Sequence, residues 1–279
     1  MIRLLALLLL LASPALAAEE MLMLPGPDGT RLQTRLCRPD TPGPHRLLIM
    51  NHGAQFRAEI RSVLVPAPCD SEPVDWFTDR GYAVAVPLRR GHGASTGEWM
   101  ESFGPCEDPD FLRVGRETAR DIRAVLEELL HHPGIEPDHA VILGESAGGW
   151  GSIALAAERP SGVAAIINVA GGRGGWAGGR ARQNCAAPRL IETMGLFGRT
   201  ARVPMLWLYA INDSYFGPSL AGSMFEAFTA AGGVAEMTVL PQTAPDGHFM
   251  FFHDKGSETW GPRVELFLRS LAPPVTALR

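Results

Sequence analysis

Short apolar runs alternate along the chain with longer stretches in which apolar residues recur every three or four positions. A continuous apolar run of four to eight residues is typical of a strand buried on both faces of a parallel sheet. Spacings of three and four predict an amphipathic helix, as at Ile122, Val125 and Leu126. The alternation of the two patterns predicts an α/β fold with a doubly wound, mostly parallel sheet.

Eight strands, five helices and three long loops follow from this pattern. The predicted strands are residues 21–24, 31–37, 46–50, 82–86, 140–143, 163–169, 205–209 and 235–240. The predicted helices are residues 74–80, 113–131, 150–158, 220–231 and 262–271. The loops are residues 53–70, 91–109 and 171–200. Loops of that length are usually functional, so we expect them to form the walls of a pocket.

The first 18 residues predict export. Arg3 precedes an apolar run at residues 4–12, and small residues suited to cleavage follow at residues 15–17. This is the layout of a secretory signal peptide, and the run is too short to span a bilayer. We expect a periplasmic or secreted protein without a stable membrane anchor, whose residues 19–279 form one domain.

Charge and cysteines restrict the partners further. The chain has 25 basic and 30 acidic residues, a net charge of −5, and no cluster of Lys and Arg. We therefore expect no nucleic-acid partner. Four cysteines in an exported chain predict disulfides, and none has the Cys-x-x-Cys spacing of a zinc site. The pairing stays open, including one bond with two free thiols, among Cys37, Cys69, Cys106 and Cys185.

A Gly-x-Ser-x-Gly motif occupies residues 144–148. It directly follows a predicted strand and opens into a predicted helix, which is the context of a nucleophile elbow. The flanking glycines give clearance for a strained turn, and the helix N-terminus favours negative charge. We interpret Ser146 as a catalytic nucleophile; a serine that merely caps the helix is the alternative.

A serine nucleophile requires a base and an orienting acid, here expected in the order Ser, Asp, His. Asp213 follows the strand at residues 205–209, and His248 follows the last strand in a glycine-flanked loop. His253 is a rival base nearer the terminal helix. Asp246 and Asp254 are rival acids, but each is so close in sequence to a histidine that good geometry would be awkward. We therefore predict a triad of Ser146, Asp213 and His248.

An oxyanion requires backbone donors beside the nucleophile, each worth about 3 kcal/mol. We expect one from the N–H of Ala147, which follows the nucleophile, and one from the N–H of Ala54. Gly53 would let the loop after the strand at residues 46–50 turn toward the pocket. His52 precedes the nucleophile, and we expect it to orient this loop rather than act as a base.

Aromatic residues lie in or beside the long loops. A set of this kind suits an apolar or aromatic acyl pocket. The expected substrate-binding residues are Trp99, Trp150, Trp176, Tyr215 and Phe216. Six charged residues of the same loops could bind a charged substrate, but we expect a solvated loop surface instead: Glu107, Asp108, Asp110, Arg173, Arg180 and Arg182.

Five segments carry a family resemblance: residues 51–53, 89–97, 144–149, 212–213 and 246–248. Together they resemble the dienelactone-hydrolase-like branch of the α/β hydrolases. The Arg-Gly-His-Gly-Ala-Ser-Thr-Gly run is also similar to dipeptidyl-peptidase-like serine hydrolases. The resemblance implies an α/β-hydrolase domain with a Ser–His–Asp triad and an acyl-enzyme intermediate. Dienelactone hydrolases carry Cys as nucleophile, whereas this chain has Ser146.

The sequence thus predicts a secreted serine hydrolase that cleaves small-molecule carboxylic esters. The chemistry needs neither a metal nor an organic cofactor. A peptidase of the dipeptidyl-peptidase or prolyl-oligopeptidase type is the alternative, and a non-catalytic binding protein on the same scaffold is a third. The oligomeric state and the acyl and alcohol preferences stay open.

Overall fold

One sheet of eight strands organises the computed structural model, which describes residues 18–271. The strands are β1 (Glu19–Pro25), β2 (Arg31–Cys37), β3 (Arg46–Asn51), β4 (Tyr82–Pro87), β5 (Ala140–Glu145), β6 (Val163–Val169), β7 (Met205–Ala210) and β8 (Ala235–Leu240). The helices are α1 (Ala58–Arg61), α2 (Glu72–Thr78), α3 (Phe111–Leu129), α4 (Ala147–Ala157), α5 (Ala187–Gly198), α6 (Pro218–Ala230) and α7 (Ser257–Ser270). The signal peptide predicted for residues 1–18 lies, except for its last residue, outside the described residues.

The strand order is β1-β2-β4-β3-β5-β6-β7-β8. The six strands from β3 to β8 run parallel, and β1 and β2 pair antiparallel at one edge. The predicted doubly wound, mostly parallel sheet is confirmed. Because the carboxyl ends of the parallel strands meet at one edge, the loops that follow them share that edge, where ligands bind in such sheets.

The central strands are apolar because helices cover both faces. Every residue of β4, β5 and β7 is buried. All but the last residue of α4 is buried as well, because α4 lies against both the sheet and α3. A Cβ on Gly151 would overlap the Thr118 side chain, so this glycine sets how closely α4 approaches α3. The helix that carries the motif serine at its N-terminus is thus fixed in the core.

Two predicted loops contain helices. The loop predicted for residues 171–200 contains α5, which buries Leu190, Met194 and Phe197 on one face. This i, i+4, i+7 spacing suffices for an amphipathic helix, so the prediction of a continuous loop is wrong there. The short α1 interrupts the loop predicted for residues 53–70. Among residues 18–271, no helix is both long and apolar enough to cross a membrane.

Two disulfides pair the four cysteines. Cys37 in β2 bonds Cys69, and Cys106 bonds Cys185, with sequence separations of 32 and 79 residues. No free cysteine remains, so the alternative of one disulfide with two free thiols is excluded. The second bond joins the loop that precedes α3 to the segment that precedes α5.

Candidate active site

The turn between β5 and α4 holds a serine in a strained conformation. Ser146 has φ 51° and ψ −115°, a region that non-glycine residues occupy only where the surrounding structure enforces it. A Cβ on Gly144 would overlap the backbone of Gly148, and a Cβ on Gly148 would overlap the Asn51 carbonyl. The motif therefore forms a nucleophile elbow that requires both glycines.

A histidine and an aspartate from two other loops meet this serine. His248 lies in the short 3₁₀ turn after β8 (Gly247–Phe249), with its Nε2 3.1 Å from the Ser146 Oγ. Its Nδ1 lies 3.3 Å from Oδ2 of Asp213, which follows β7. Asp213 is fully buried, and His248 is 3% exposed. The contacts run in the order serine, histidine, carboxylate that an activated serine requires.

The segment after β7 orients both the aspartate and the histidine. The backbone N–H groups of Tyr215 and Phe216 donate to Oδ1 of Asp213 at 2.7 and 2.8 Å. The Tyr215 ring stacks on the imidazole of His248, with centroids 4.0 Å apart and planes 21° apart. The Phe216 ring approaches the same imidazole at 5.5 Å. Neither side chain can turn without breaking these contacts.

Two of the rival residues, Asp246 and His253, have other partners. The Asp246 carboxylate accepts from the backbone N–H groups of His248 and Ser214 at 3.0 and 3.1 Å, so it ties the loop after β8 to the loop after β7. Burial alone would raise the pKa of Asp246, but hydrogen bonds from Ser214 and His248 lower it below its usual value. His253 contacts the carbonyl of its neighbour Asp254 at 2.8 Å.

The loop after β3 passes close to Ser146. A Cβ on Gly53 would lie 3.4 Å from the Cβ of Ser146. Ala54 lines the same pocket as Ser146, and Ala147 begins α4, where the first N–H groups lack partners within the helix. In the hydrogen-bond network of residues 18–271, the N–H groups of Ala54 and Ala147 have no acceptor. Both are therefore free to donate to a bound group.

A buried cluster of charged residues fixes the loop after β3 through hydrogen bonds. The Arg89 guanidinium donates to the carbonyls of His52 and Gly53 at 2.7 and 3.2 Å and to Glu101 at 2.5 Å. Arg173 donates to the other oxygen of Glu101 at 2.9 Å. Burial disfavours a charge on Glu101, but Arg89 and Arg173 hold its pKa well below the usual range. The loop thus rests on an ionised Arg–Glu–Arg cluster.

The two histidines beside this cluster are uncharged at neutral pH. Burial, together with the charge of Arg89, lowers the pKa of His92 to about 4 and that of His52 well below its usual value. The backbone N–H of Arg89 donates to Nε2 of His52 at 3.2 Å, so the ring proton lies on Nδ1, 2.7 Å from the Gly53 carbonyl. His52 is therefore already engaged in holding the loop.

Ser146 lies in the wall of a cavity of about 450 Å³. Its walls are aromatic, aliphatic and glycine-rich, and they come from the loops after β3, β6, β7 and β8. The main apolar residues on these walls are Phe56, Ile60, Leu64, Tyr215, Phe249 and Phe252. The size suits a small molecule with an apolar part.

The predicted substrate-binding aromatics fall into three places. Tyr215 and Phe216 line the cavity. Trp176 packs against Tyr215 and is 41% exposed, outside the residues that line the cavity. Trp99 also lies outside that set and packs behind the wall residue Phe56.

The prediction for Trp150 is wrong. Its indole is fully buried and donates to the Phe111 carbonyl at 3.0 Å, because α4 lies in the core. The structure adds Phe56, Phe249 and Phe252 to the pocket, and Glu145 beside the nucleophile. Phe249 directly follows His248, and that adjacency could have identified it from the sequence.

A match to a family sequence model identifies the family of this chain. The sequence model of the X-Pro dipeptidyl-peptidase family (S15) matches residues 28–193. The chain belongs to this S15 family. The match includes the Gly-x-Ser-x-Gly motif and the Arg-Gly-His-Gly-Ala-Ser-Thr-Gly run that carried the resemblance to dipeptidyl-peptidase-like hydrolases. No curated protein sequence matches this S15 protein.

Solved structures share the fold at low identity. An esterase of Pyrococcus furiosus is 15% identical, over 91% of this chain and 93% of that one, with a TM-score of 0.62. An α/β serine hydrolase without lid from Xanthomonas campestris is 18% identical, over 94% and 100%, with a TM-score of 0.60. Acetyl xylan esterase 1 of a Thermoanaerobacterium species is 19% identical, over 94% and 86%, with a TM-score of 0.59. The α/β-hydrolase assignment is confirmed, and the S15 protein is a serine hydrolase.

Proposed function

We propose that this S15 protein hydrolyses carboxylic esters through an acyl-enzyme on Ser146. His248 removes the Ser146 proton as Oγ attacks the ester carbonyl carbon. Asp213 orients the imidazole and stabilises its charged form. The N–H groups of Ala54 and Ala147 would hold the oxyanion, each worth about 3 kcal/mol.

The second half of the reaction uses the same groups. His248 gives its proton to the departing alkoxide, and the alcohol leaves. The imidazole of His248 then takes a proton from water as the water oxygen attacks the acyl carbon. It returns this proton to the Ser146 Oγ as the acid is released. Each step uses groups of this chain alone.

The observation that carries the ester proposal is the placement of the Ser146–His248–Asp213 contacts at a small, mainly apolar cavity. A peptide would bury amide groups against these walls, and a buried amide without a partner costs about 1–3 kcal/mol. An ester has no N–H to satisfy, so an apolar acyl or alcohol group fits with less loss. Two of the structurally similar proteins are esterases, which supports this choice.

Dipeptide release from peptides with proline in the second position is the second candidate. The family match favours it, because the family is described as X-Pro dipeptidyl-peptidases. The same triad could serve, since His248 could protonate a departing amine as it would an alkoxide.

Parallel assays separate the two candidates. We expect kcat/KM for p-nitrophenyl butyrate to exceed that for alanyl-prolyl-p-nitroanilide after correction for intrinsic reactivity. Ser146→Ala should lower the ester rate by a factor on the order of 10⁶ and abolish labelling by a fluorophosphonate. Faster anilide turnover would reject the esterase proposal. Wild-type protein that takes no label and turns over neither substrate would indicate a non-catalytic scaffold.

We also propose that the protein works in an oxidising compartment outside the cytoplasm. Both disulfides support this, because bonds of this kind persist mainly in exported proteins. The signal-peptide pattern of residues 1–18 supports it independently.

A further inference from the structure

Glu145 is a carboxylic acid in the wall of the catalytic cavity. It is the last residue of β5, immediately before the nucleophile, and it is 8% exposed. Its Oε2 lies 3.7 Å from the position that a Cβ on Gly53 would occupy, and the Ser146 Oγ lies 4.0 Å from the same point. The carboxyl therefore faces the space between the nucleophile and the loop after β3.

No described residue pairs with this carboxyl. Other buried acids have clear partners: Glu101 accepts from two arginines, and Asp121 accepts from Arg90 at 2.5 Å. The described hydrogen bonds and ion pairs include none to the Glu145 side chain. Burying an acid without a partner is costly, and such an acid in a cleft is a candidate for function.

The two arginines that line the cavity are paired with other acids, so neither of them neutralises Glu145. Arg57 lines the cavity but is ion-paired with Glu59 at 2.8 Å. Arg173 also lines it and is ion-paired with Glu101. Among the described residues that line the cavity, Glu145 is the only carboxylic acid.

Aromatic rings complete the surroundings. Tyr215, Phe249 and Phe252 line the cavity together with Glu145. Aromatic faces attract cations, and desolvation strengthens the attraction. An unpaired acid in an aromatic cavity is therefore suited to a cation that enters with the substrate.

We propose that Glu145 binds a protonated amine of the ester substrate, a few bonds from the scissile carbonyl. The inference rests on the proposed ester hydrolysis and names its substrate class: amino esters with an apolar remainder. The ammonium would supply the ionic partner that the protein itself does not. Burial raises the pKa of Glu145 to about 7, and a bound ammonium favours the charged form.

The amine could lie on either side of the ester, so the test has two arms. The acyl arm compares the p-nitrophenyl ester of alanine with p-nitrophenyl isobutyrate. The alcohol arm compares 2-(dimethylamino)ethyl acetate with 3-methylbutyl acetate. Each pair differs only in replacement of an ammonium by an isosteric carbon, and kcat/KM is divided by the rate of alkaline hydrolysis.

We expect the amino ester to be preferred by about tenfold or more in at least one arm, the range of one desolvated ionic contact. Glu145→Gln keeps the shape and removes the charge, so this preference should fall to near unity. Glu226→Gln is the matched control, because Glu226 is exposed on α6 and outside the cavity; it should keep the preference.

The outcomes separate the two proposals. No turnover of any ester would reject the ester hydrolysis itself. Ester turnover without a preference in either arm would reject the amine site alone, and this needs only the wild-type protein. A preference that survives in Glu145→Gln would also reject it.

Discussion

Burial raises the pKa of Glu145 to about 7, within the range where the enzyme can be assayed, so the amine site should have its own pH dependence. Burial is the largest cause of the pKa of about 7 at Glu145, while the charge of His248 lowers that pKa and the charge of Asp213 raises it. The other ionisable residues that line the same cavity are His52, Arg57 and Arg173. Only the ionised acid attracts an ammonium.

The preference for 2-(dimethylamino)ethyl acetate over 3-methylbutyl acetate should therefore rise by up to about tenfold between pH 6 and pH 8. The aliphatic amine stays mainly protonated over this range, so the ionisation of Glu145 dominates the change. Both esters use the same catalytic groups, so any effect of pH on the chemical step alone cancels in the ratio of their kcat/KM values, which report the free enzyme. A ratio that falls with rising pH would mean that the neutral acid is the binding form.

The sequence identifies residues that the fold brings together where backbone geometry and residue order constrain chemistry jointly. The elbow required Gly144 and Gly148, and chain order identified Asp213 and His248, which do contact Ser146 in series. The sequence does not single out Glu145, because the motif allows any residue at that position. Only the fold shows that this side chain has no partner.

At the scale of elements, a charged cluster joins three loops beside the cavity: the loop after β3, the loop between β4 and α3, and the loop after β6. Arg89 and Glu101 both lie in the loop between β4 and α3, and Arg173 follows β6. Arg89 alone reaches two carbonyls of the loop after β3 as well as Glu101. The position of Ala54 N–H therefore depends on a guanidinium that serves three acceptors at once.

Arg89→Lys should lower kcat by about 10- to 100-fold with a smaller effect on KM. A lysine keeps the charge, but its compact ammonium cannot reproduce the planar fork. A displaced oxyanion donor costs transition-state stabilisation rather than substrate binding. Steady-state kinetics on p-nitrophenyl butyrate measure the split. Arg116→Lys on the exposed face of α3 is the control; equal losses in both variants would contradict the positioning role.

Elements with a strong hydrophobic period were predictable, and those set by tertiary packing were not. All eight predicted strands occur. The central ones are apolar runs because both faces of the sheet are covered there, whereas the edge strands β1 and β8 are largely exposed or half-buried. The sequence pattern does not predict α5, because glycines and arginines surround the segment. Its apolar residues Leu190, Met194 and Phe197 nevertheless have helical spacing. Trp150 was misplaced because the sequence near Ser146 does not reveal that α4 is buried on almost all sides.

At the scale of the whole molecule, the sheet gathers side chains that are far apart in sequence. The contact between Ser146 and His248 spans 102 residues, and that between Asp213 and His248 spans 35. Parallel strands make this possible because their carboxyl ends share one edge. The loops above that edge set the cavity walls, and cross-links between loops should therefore affect activity.

The two disulfides differ in how close they lie to the cavity. The backbone N–H of Cys185 donates at 2.8 Å to the carbonyl of Gly174, a cavity residue. The Cys106–Cys185 bond thus anchors one wall. The Cys37–Cys69 bond joins β2 to the segment before α2 and contributes no residue to that cavity.

Removing either bond with paired Ser substitutions should cost about 4 kcal/mol, because loops of these lengths gain comparable entropy in the unfolded chain. That corresponds to a fall in Tm of about 8–16 °C, measured by calorimetry. Only the pair Cys106→Ser and Cys185→Ser should also lower kcat/KM for p-nitrophenyl butyrate at a temperature where both variants are folded. The other pair is the matched control. If both pairs reduce activity equally, the cavity wall does not depend on its local cross-link, and stability alone governs the loss.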